Sequence, residues 1–189
     1  SAARISSRGF ASTRPGCYKL ATALDDTARA TGLTMLKEYQ DKLYEHYSLD
    51  RSLSGAVTNR LGIPAVTIEA GPRLYLDTEA VETMNRAVLG VLSDLGMVAA
   101  EIEPHPTRVE GGPWRRATGP RASVAGVLHV DTAPGTLLSK GDTVAEIHSL
   151  SGACLEKLVA TEKSFVVSVA ERAWVTTGVA VATLGVPDC

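Results

Sequence analysis

Along the first half of the chain, hydrophobic residues recur at helical spacing, interrupted by one short continuous apolar run. Leu20, Leu24 and Ala28 share one stripe of a helix expected over residues 21–30, with Gly32 as its stop. A second helix is expected after Thr34, where Leu36, Tyr39, Leu43 and Tyr47 recur at three- and four-residue steps. Lys37, Glu38, Asp41, Lys42 and Glu45 form its solvated face. The stretch LSGAVTNRLGIPAVTIEAGPRLYL, Leu53 to Leu76, reads as a short helix capped by Ser54 and ended by Gly62, then a strand over residues 65–68 opened by Pro64. Glu69 follows directly, a carboxylate delivered by a buried strand. Asp77 or Thr78 caps the next helix, whose buried stripe is Val81, Met84, Val88, Leu92 and Leu95, and Gly96 stops it. Residues 1–19 have little periodicity and end near Pro15-Gly16, so they read as a loop or irregular segment.

The pattern changes after Gly96. Residues 98–119 carry Pro104, Pro106, Pro113 and paired glycines and read as an irregular linker. From residue 120 onward, short valine-rich runs between turn residues predict an all-β domain. It contains a weak repeat at an offset of 37 residues, which sets Gly141 on Gly178 and Leu128, Leu138, Val144 and Ile147 on Phe165, Val175, Val181 and Leu184. LLSKGDTVAEI and WVTTGVAVATL are its clearest copies. Two motifs that each leave an apolar face open would bury those faces together as a small sandwich-like barrel. The expected class is therefore α/β over residues 1–97, a layered domain of strand and packed helix, followed by an all-β domain over 120–189.

Composition narrows the function. The 189 residues are 44% hydrophobic, and no run approaches the roughly 18 apolar residues of a membrane span. Nineteen basic against twenty-one acidic residues, formal charge -2, with no basic block, argue against a nucleic-acid partner. The three cysteines, Cys17, Cys154 and Cys189, lie far apart and suggest a reducing, cytoplasmic setting rather than a disulfide framework. Residue 1 is serine, so the chain is expected to be processed, trimmed or a fragment.

Glu69 is the leading candidate for chemistry. A carboxylate at a strand end can act as general base or acid, and partial burial after four apolar positions would raise its pKa toward the working range. Arg51, Arg60 and Arg73 bracket it in sequence and could grip an anionic substrate through a bidentate fork, with Arg73 nearest. Ser52 and Ser54 could assist substrate binding. His46, His105, His129 and His148 show no HExxH or comparable ligand spacing, CxxC is absent, and no residue of this chain is assigned as a metal ligand. The β domain over 120–189 resembles the barrel-sandwich of biotinyl and lipoyl carriers, a resemblance that implies a barrel-sandwich-like fold and a cofactor lysine at a hairpin tip, but Lys157 follows the bend HSLSGACLEK rather than sitting at its centre.

The segment LSGAVTNRLGIPAVTIEAG, the helix after it, and the β motif VAGVLHVDTAPGTLLSKGDTVAEI resemble the later part of the succinylglutamate desuccinylase/aspartoacylase family of zinc enzymes, similar in fold to zinc carboxypeptidases, which implies a partial zinc-carboxypeptidase-like mixed sheet with flanking helices over residues 1–97. The resemblance covers most of residues 48–184. It implies that Glu69 is the catalytic glutamate assisting attack of zinc-bound water on an amide, and that the substrate is a small N-acyl amino acid or N-acyl amine. The family's zinc ligands, an HxxE pair and a later histidine, have no counterpart before His46. Zinc is therefore expected to be held by a missing N-terminal segment, present as a separate chain of the same enzyme, and a homo-oligomer is compatible with this. The alternative is a non-catalytic binding or assembly module derived from the same fold.

Overall fold

A computed structural model describes residues 2–5, 15–72, 74–99, 101, 103–106 and 108–188. The chain divides into two units, Ser1–Pro113 and Trp114–Cys189.

Among the described residues, the first unit holds three strands in the order β3 (Val66–Glu69), β1 (Ala2–Ile5), β2 (Thr34–Lys37). β1 runs parallel to β2 and antiparallel to β3, a mixed sheet. Helix α1 (Pro15–Ala30) begins on a proline, whose fixed φ and missing N–H suit a first helical position. The irregular segment expected over residues 1–19 is thus corrected at residues 2–5 and 15–19, and the rest of that range lies outside the described residues. A four-residue strand with a neighbour on either side is specified by those neighbours more than by its own short pattern. Leu24 and Ala28 of α1 are buried with Met35 and Val66 against them, as the helical stripe requires.

The helix expected after Thr34 is also corrected. Thr34 and Leu36 are buried at alternate positions of β2, and the helix that follows, α2 (Asp41–His46), is short. Leu36 and Tyr39 fit a helical stripe, but so short an apolar run fits a strand equally, and pairing with β1 decides. Glu38, assigned to the solvated face, is 4% exposed, whereas Leu43 is 45% exposed and Tyr44 fills the core instead.

A 3-10 turn (Leu49–Arg51) leads into α3 (Leu53–Leu61). The N-cap is Ser52 rather than Ser54: its Oγ accepts from the Gly55 N–H at 3.1 Å and donates to the Leu49 carbonyl at 2.6 Å. Gly62 closes the helix at φ 66°, a left-handed position that glycine adopts without a Cβ clash. Gly55 serves closeness rather than φ. A Cβ there would fall on the Leu49 carbonyl oxygen and 2.8 Å from the hydroxyl of buried Tyr44, which accepts from Asn59 Nδ2 at 3.1 Å.

Helix α4 (Thr78–Asp94) starts at Asp77, whose carboxylate accepts from the Glu79 N–H at 2.9 Å. Its buried face is Thr83, Ala87 and Gly90, with Ala87 against Leu33 and Ile68. The expected stripe is corrected: Val81, Val88 and Leu95 are exposed. Small residues let α4 lie close to α1 and the sheet, so the larger apolar positions are turned outward.

Among the described residues, the second unit is built from eight strands in two sheets. β4 (Trp114–Thr118), β11 (Ala182–Pro187), β9 (Ser164–Val169) and β6 (Leu137–Leu138) lie side by side in that order. The other sheet runs β10 (Trp174–Val175), β5 (Gly126–His129), β7 (Thr143–His148), β8 (Cys154–Val159). Residues 114–118, which sequence places in the linker, pair along their length with β11, and Trp114 is buried edge-on to Phe165 with ring centres 5.1 Å apart.

The repeat is visible in the pairing. Offset by 37 residues, β6 corresponds to β10 and Gly141 to Gly178, both at positive φ, 94° and 87°. β5–β7 of one copy form the middle of one sheet and β9–β11 of the other copy the middle of the second. β6 leaves its own copy to pair with β9, and β10 leaves its own to pair with β5. One core, including Leu128, Val144, Ile147, Val166, Val181 and Leu184, draws on both sheets, and the pairing among the described strands forms no closed barrel. No helix among the described residues is long and apolar enough to cross a membrane.

Candidate functional site

Glu69 is the last residue of β3. Successive strand residues point to opposite faces, so Thr67 and Glu69 share one face while Val66 and Ile68 take the other. The clusters assign the second face: Val66 packs with Leu24 and Ala28 of α1, Ile68 with Ala87 of α4. On the first face the Thr67 hydroxyl donates to Ser54 Oγ at 3.0 Å, tying α3 to β3 two residues before the carboxylate. Ser54 and Glu69 therefore stand on the same side of the sheet, and Ser54, accepting from Thr67, keeps its own proton to donate.

Glu69 itself is exposed, which corrects the expected partial burial. β3 is the outer strand of this three-stranded group, and its last residue lies past the cover that half-buries Val66 to Ile68. Arg51 is exposed in the turn before α3, and Arg73 lies outside the described residues. Among the described residues, no group of three His, Cys, Asp or Glu side chains close enough to hold a metal includes Glu69.

The histidines separate by role. His46 is exposed, its ring edge-on to Tyr47 with centres 5.1 Å apart. His105 pins a loop: its N–H donates to the Gly32 carbonyl at 2.9 Å and its Nε2 lies 3.0 Å from Thr83 Oγ1 on the buried face of α4. Burial first, and then nearby positive charge including Arg86, holds its imidazole below the ordinary 6.5.

In the β unit, Glu146, His148 and Lys157 form a linked group. Glu146 takes the Lys157 ammonium on Oε1 and His148 Nε2 on Oε2, each at 3.0 Å. The hydrogen bond from Lys157, then that with His148, lowers the Glu146 carboxyl below its usual value. The Gly152 carbonyl at 3.2 Å, then Glu146, raises His148, and Glu146 raises Lys157. The pairing of Lys157 with Glu146 across β7 and β8 places it within a strand. Cys154, a free and exposed thiol, belongs to the same neighbourhood. In sequence His148 lies near Glu146, but Cys154 and Lys157 are not joined to them, because the spacing fits no ligand motif. The missing signal is a register shift between Ile147 and His148, which leaves Leu155 as an extra residue and seats Cys154 opposite His148.

No family model matches the sequence, and no curated protein matches it. Solved structures do match. A succinylglutamate desuccinylase/aspartoacylase from Rhodobacter sphaeroides aligns over 100% of this chain and 54% of its own, with TM-score 0.72 and 19% identity. A succinylglutamate desuccinylase from a Silicibacter species aligns over 99% and 53%, with TM-score 0.73 and 16% identity. The product-bound ectoine utilization protein EutE (DoeB) from Ruegeria pomeroyi aligns over 98% and 53%, with TM-score 0.73 and 15% identity. The chain thus has a fold like that of succinylglutamate desuccinylase/aspartoacylase family proteins and spans about half the length of these structures, consistent with a C-terminal part.

Proposed function

We propose that this chain supplies the catalytic glutamate, Glu69, of a deacylase that hydrolyses the amide of a small N-acyl amino acid or N-acyl amine. The observation that carries the reading is the likeness in fold to succinylglutamate desuccinylase/aspartoacylase structures, joined to a strand that ends in a carboxylate on the face it shares with Ser54. Glu69 acts as the proton carrier, and Ser54, Arg51 and Arg73 bind substrate, the arginines through its carboxylate where it has one. A zinc-carboxypeptidase-like arrangement of the α/β unit and barrel-sandwich character of the β unit are parts of the same reading.

Zinc belongs to this proposal, but the described residues around Glu69 do not fit a zinc site, so its ligands come from another segment, the N-terminal half of the enzyme. The outward apolar residues of the first unit favour such a partner. Leu53, Leu61, Leu76 and Leu95 are 84%, 67%, 85% and 64% exposed, and Ile63 and Tyr75 lie open as well. A reducing, cytoplasmic setting accords with the free exposed thiol of Cys154.

The test is Glu69→Gln in the chain assembled with its N-terminal segment. Turnover of N-acyl amino acids should fall about 10²–10⁴-fold, as loss of a general base does, with bound zinc retained. Undiminished turnover refutes the assignment. The second reading, a non-catalytic binding or assembly module, is favoured by the lack of a described metal-ligand group at Glu69. Elemental analysis and intact mass of the purified assembly carrying Cys154→Ser separate the two: a complete assembly without metal or additional chain supports the module.

A further inference from the structure

The β7–β8 hairpin brings three different metal-ligand types together. One oxygen of Glu146, one ring nitrogen of His148 and the Cys154 sulfur all lie within 4.8 Å of one another. A tetrahedral zinc-type ion, with bonds of about 2.0–2.3 Å, sets such atoms roughly 3.4–3.8 Å apart. The carboxylate and imidazole are already at 3.0 Å, and the exposed Cys154 side chain is the one that must turn.

We propose that Glu146, His148 and Cys154 form a binding site for a borderline divalent transition-metal ion of the Zn2+ class. Two observations point beyond mere proximity. The Gly152 carbonyl faces His148 Nδ1 at 3.2 Å, the outer contact that commonly orients a ligating histidine, and Gly152 holds φ 87° at the hairpin tip. With the proton on Nδ1, the Nε2 lone pair faces Glu146 Oε2 at 3.0 Å, and two acceptors at that distance require a positive centre between or beside them. A proton fills that role in the metal-free protein. A dication fills it with the Cys154 thiolate as third ligand and water as fourth.

Binding releases the thiol proton and any imidazolium proton on Nε2 to solvent, so no redox partner is needed. The Lys157 ammonium on Glu146 Oε1 competes for the same carboxylate and weakens the site. The strand register supplies the site: without the extra residue at Leu155, His148 would face Leu155, and Cys154 would follow the inward phase of Leu158. The proposal is independent of the deacylase reading, because all three ligands lie in the β unit and Glu69→Gln leaves them intact.

The experiment is titration of the whole chain, stripped with chelator, with Co2+ followed by displacement with Zn2+. One Co2+ per chain should bind with a thiolate-to-cobalt charge-transfer band. Cys154→Ser should abolish that band, the paired change Cys17→Ser and Cys189→Ser should keep it, and Lys157→Met should tighten binding by about tenfold as a competing positive charge is removed. Tryptophan emission of Cys154→Ser should match the parent, so that loss of the band reports ligation rather than unfolding. His148→Gln provides a second ligand variant and should weaken Co2+ binding. No band in the parent chain, a band that survives Cys154→Ser, or a band lost with Cys17 and Cys189 overturns the site.

Discussion

Gly55→Ala tests how the α3 segment holds the face that carries Ser54 and Glu69. An added Cβ would meet the Leu49 carbonyl, the Tyr44 hydroxyl and Ser52 Oγ together. Tyr44 is fully buried, and Ser52 Oγ is the N-cap acceptor, so relief requires moving the 3-10 turn and losing the cap. Overpacking costs about 1–3 kcal/mol and a lost serine cap about 0.5–2 kcal/mol, so a combined loss of about 2–4 kcal/mol is expected. At about 2–4 °C per kcal/mol for a chain of this size, the midpoint should fall by about 5–15 °C. Gly62→Ala is the control: its Cβ meets nothing within 4 Å, so only the left-handed φ is strained, at about 1 kcal/mol. Two signals separate the units. Every helix among the described residues lies in residues 1–113, and both tryptophans, Trp114 and Trp174, lie after them. The helical circular-dichroism midpoint should therefore drop much further in Gly55→Ala than in Gly62→Ala. Equal shifts in the two variants would refute the close approach of the 3-10 turn to α3.

Other outcomes follow from single contacts. His105 has a folded pKa below its unfolded value of about 6.5, so the folded state binds fewer protons; its contribution is present above about pH 6.5 and lost as pH falls through the folded pKa. Ring titration by NMR should place His105 below 6.5, and His105→Gln should reduce the acid sensitivity of the helical signal; a pKa at or above 6.5 refutes the burial argument. Gly185→Ala drives a Cβ into the Phe165 ring, which Trp114 backs from the side, and should cost about 1–3 kcal/mol in the transition followed by tryptophan emission. An unchanged midpoint would mean that the ring can move aside.

What could be read from sequence, and what could not, follows from the range of the interactions concerned. Asp77, Gly32, Gly62 and Gly96 punctuate helices by their own chemistry, and each stands where its residue type predicts. The repeat in the β unit was legible because Leu138 and Val175, Val144 and Val181, and Ile147 and Leu184 meet in one core, whereas Phe165, set on Leu128 by the offset, packs against Trp114 instead. β1 and β2 were not, because four residues specify little until a neighbour pairs with them. On α4 the apolar pattern was real but its orientation was misjudged: close packing selects Thr83, Ala87 and Gly90, and no sequence periodicity shows which stripe a neighbour will cover. Ser52 and Ser54 are both plausible caps two residues apart, and the chain direction before the helix decides between them. Cys154 depends on a single inserted residue across a hairpin, and such a register shift has no local signature.

The reciprocal lending of β6 and β10 makes the β unit indivisible. A break in the segment between the copies, residues 149–153, leaves two fragments that must find each other, since each completes its partner's sheet with a strand that its partner lacks. The two fragments should reassemble when mixed, whereas either one alone would present an uncovered sheet edge and half of a core.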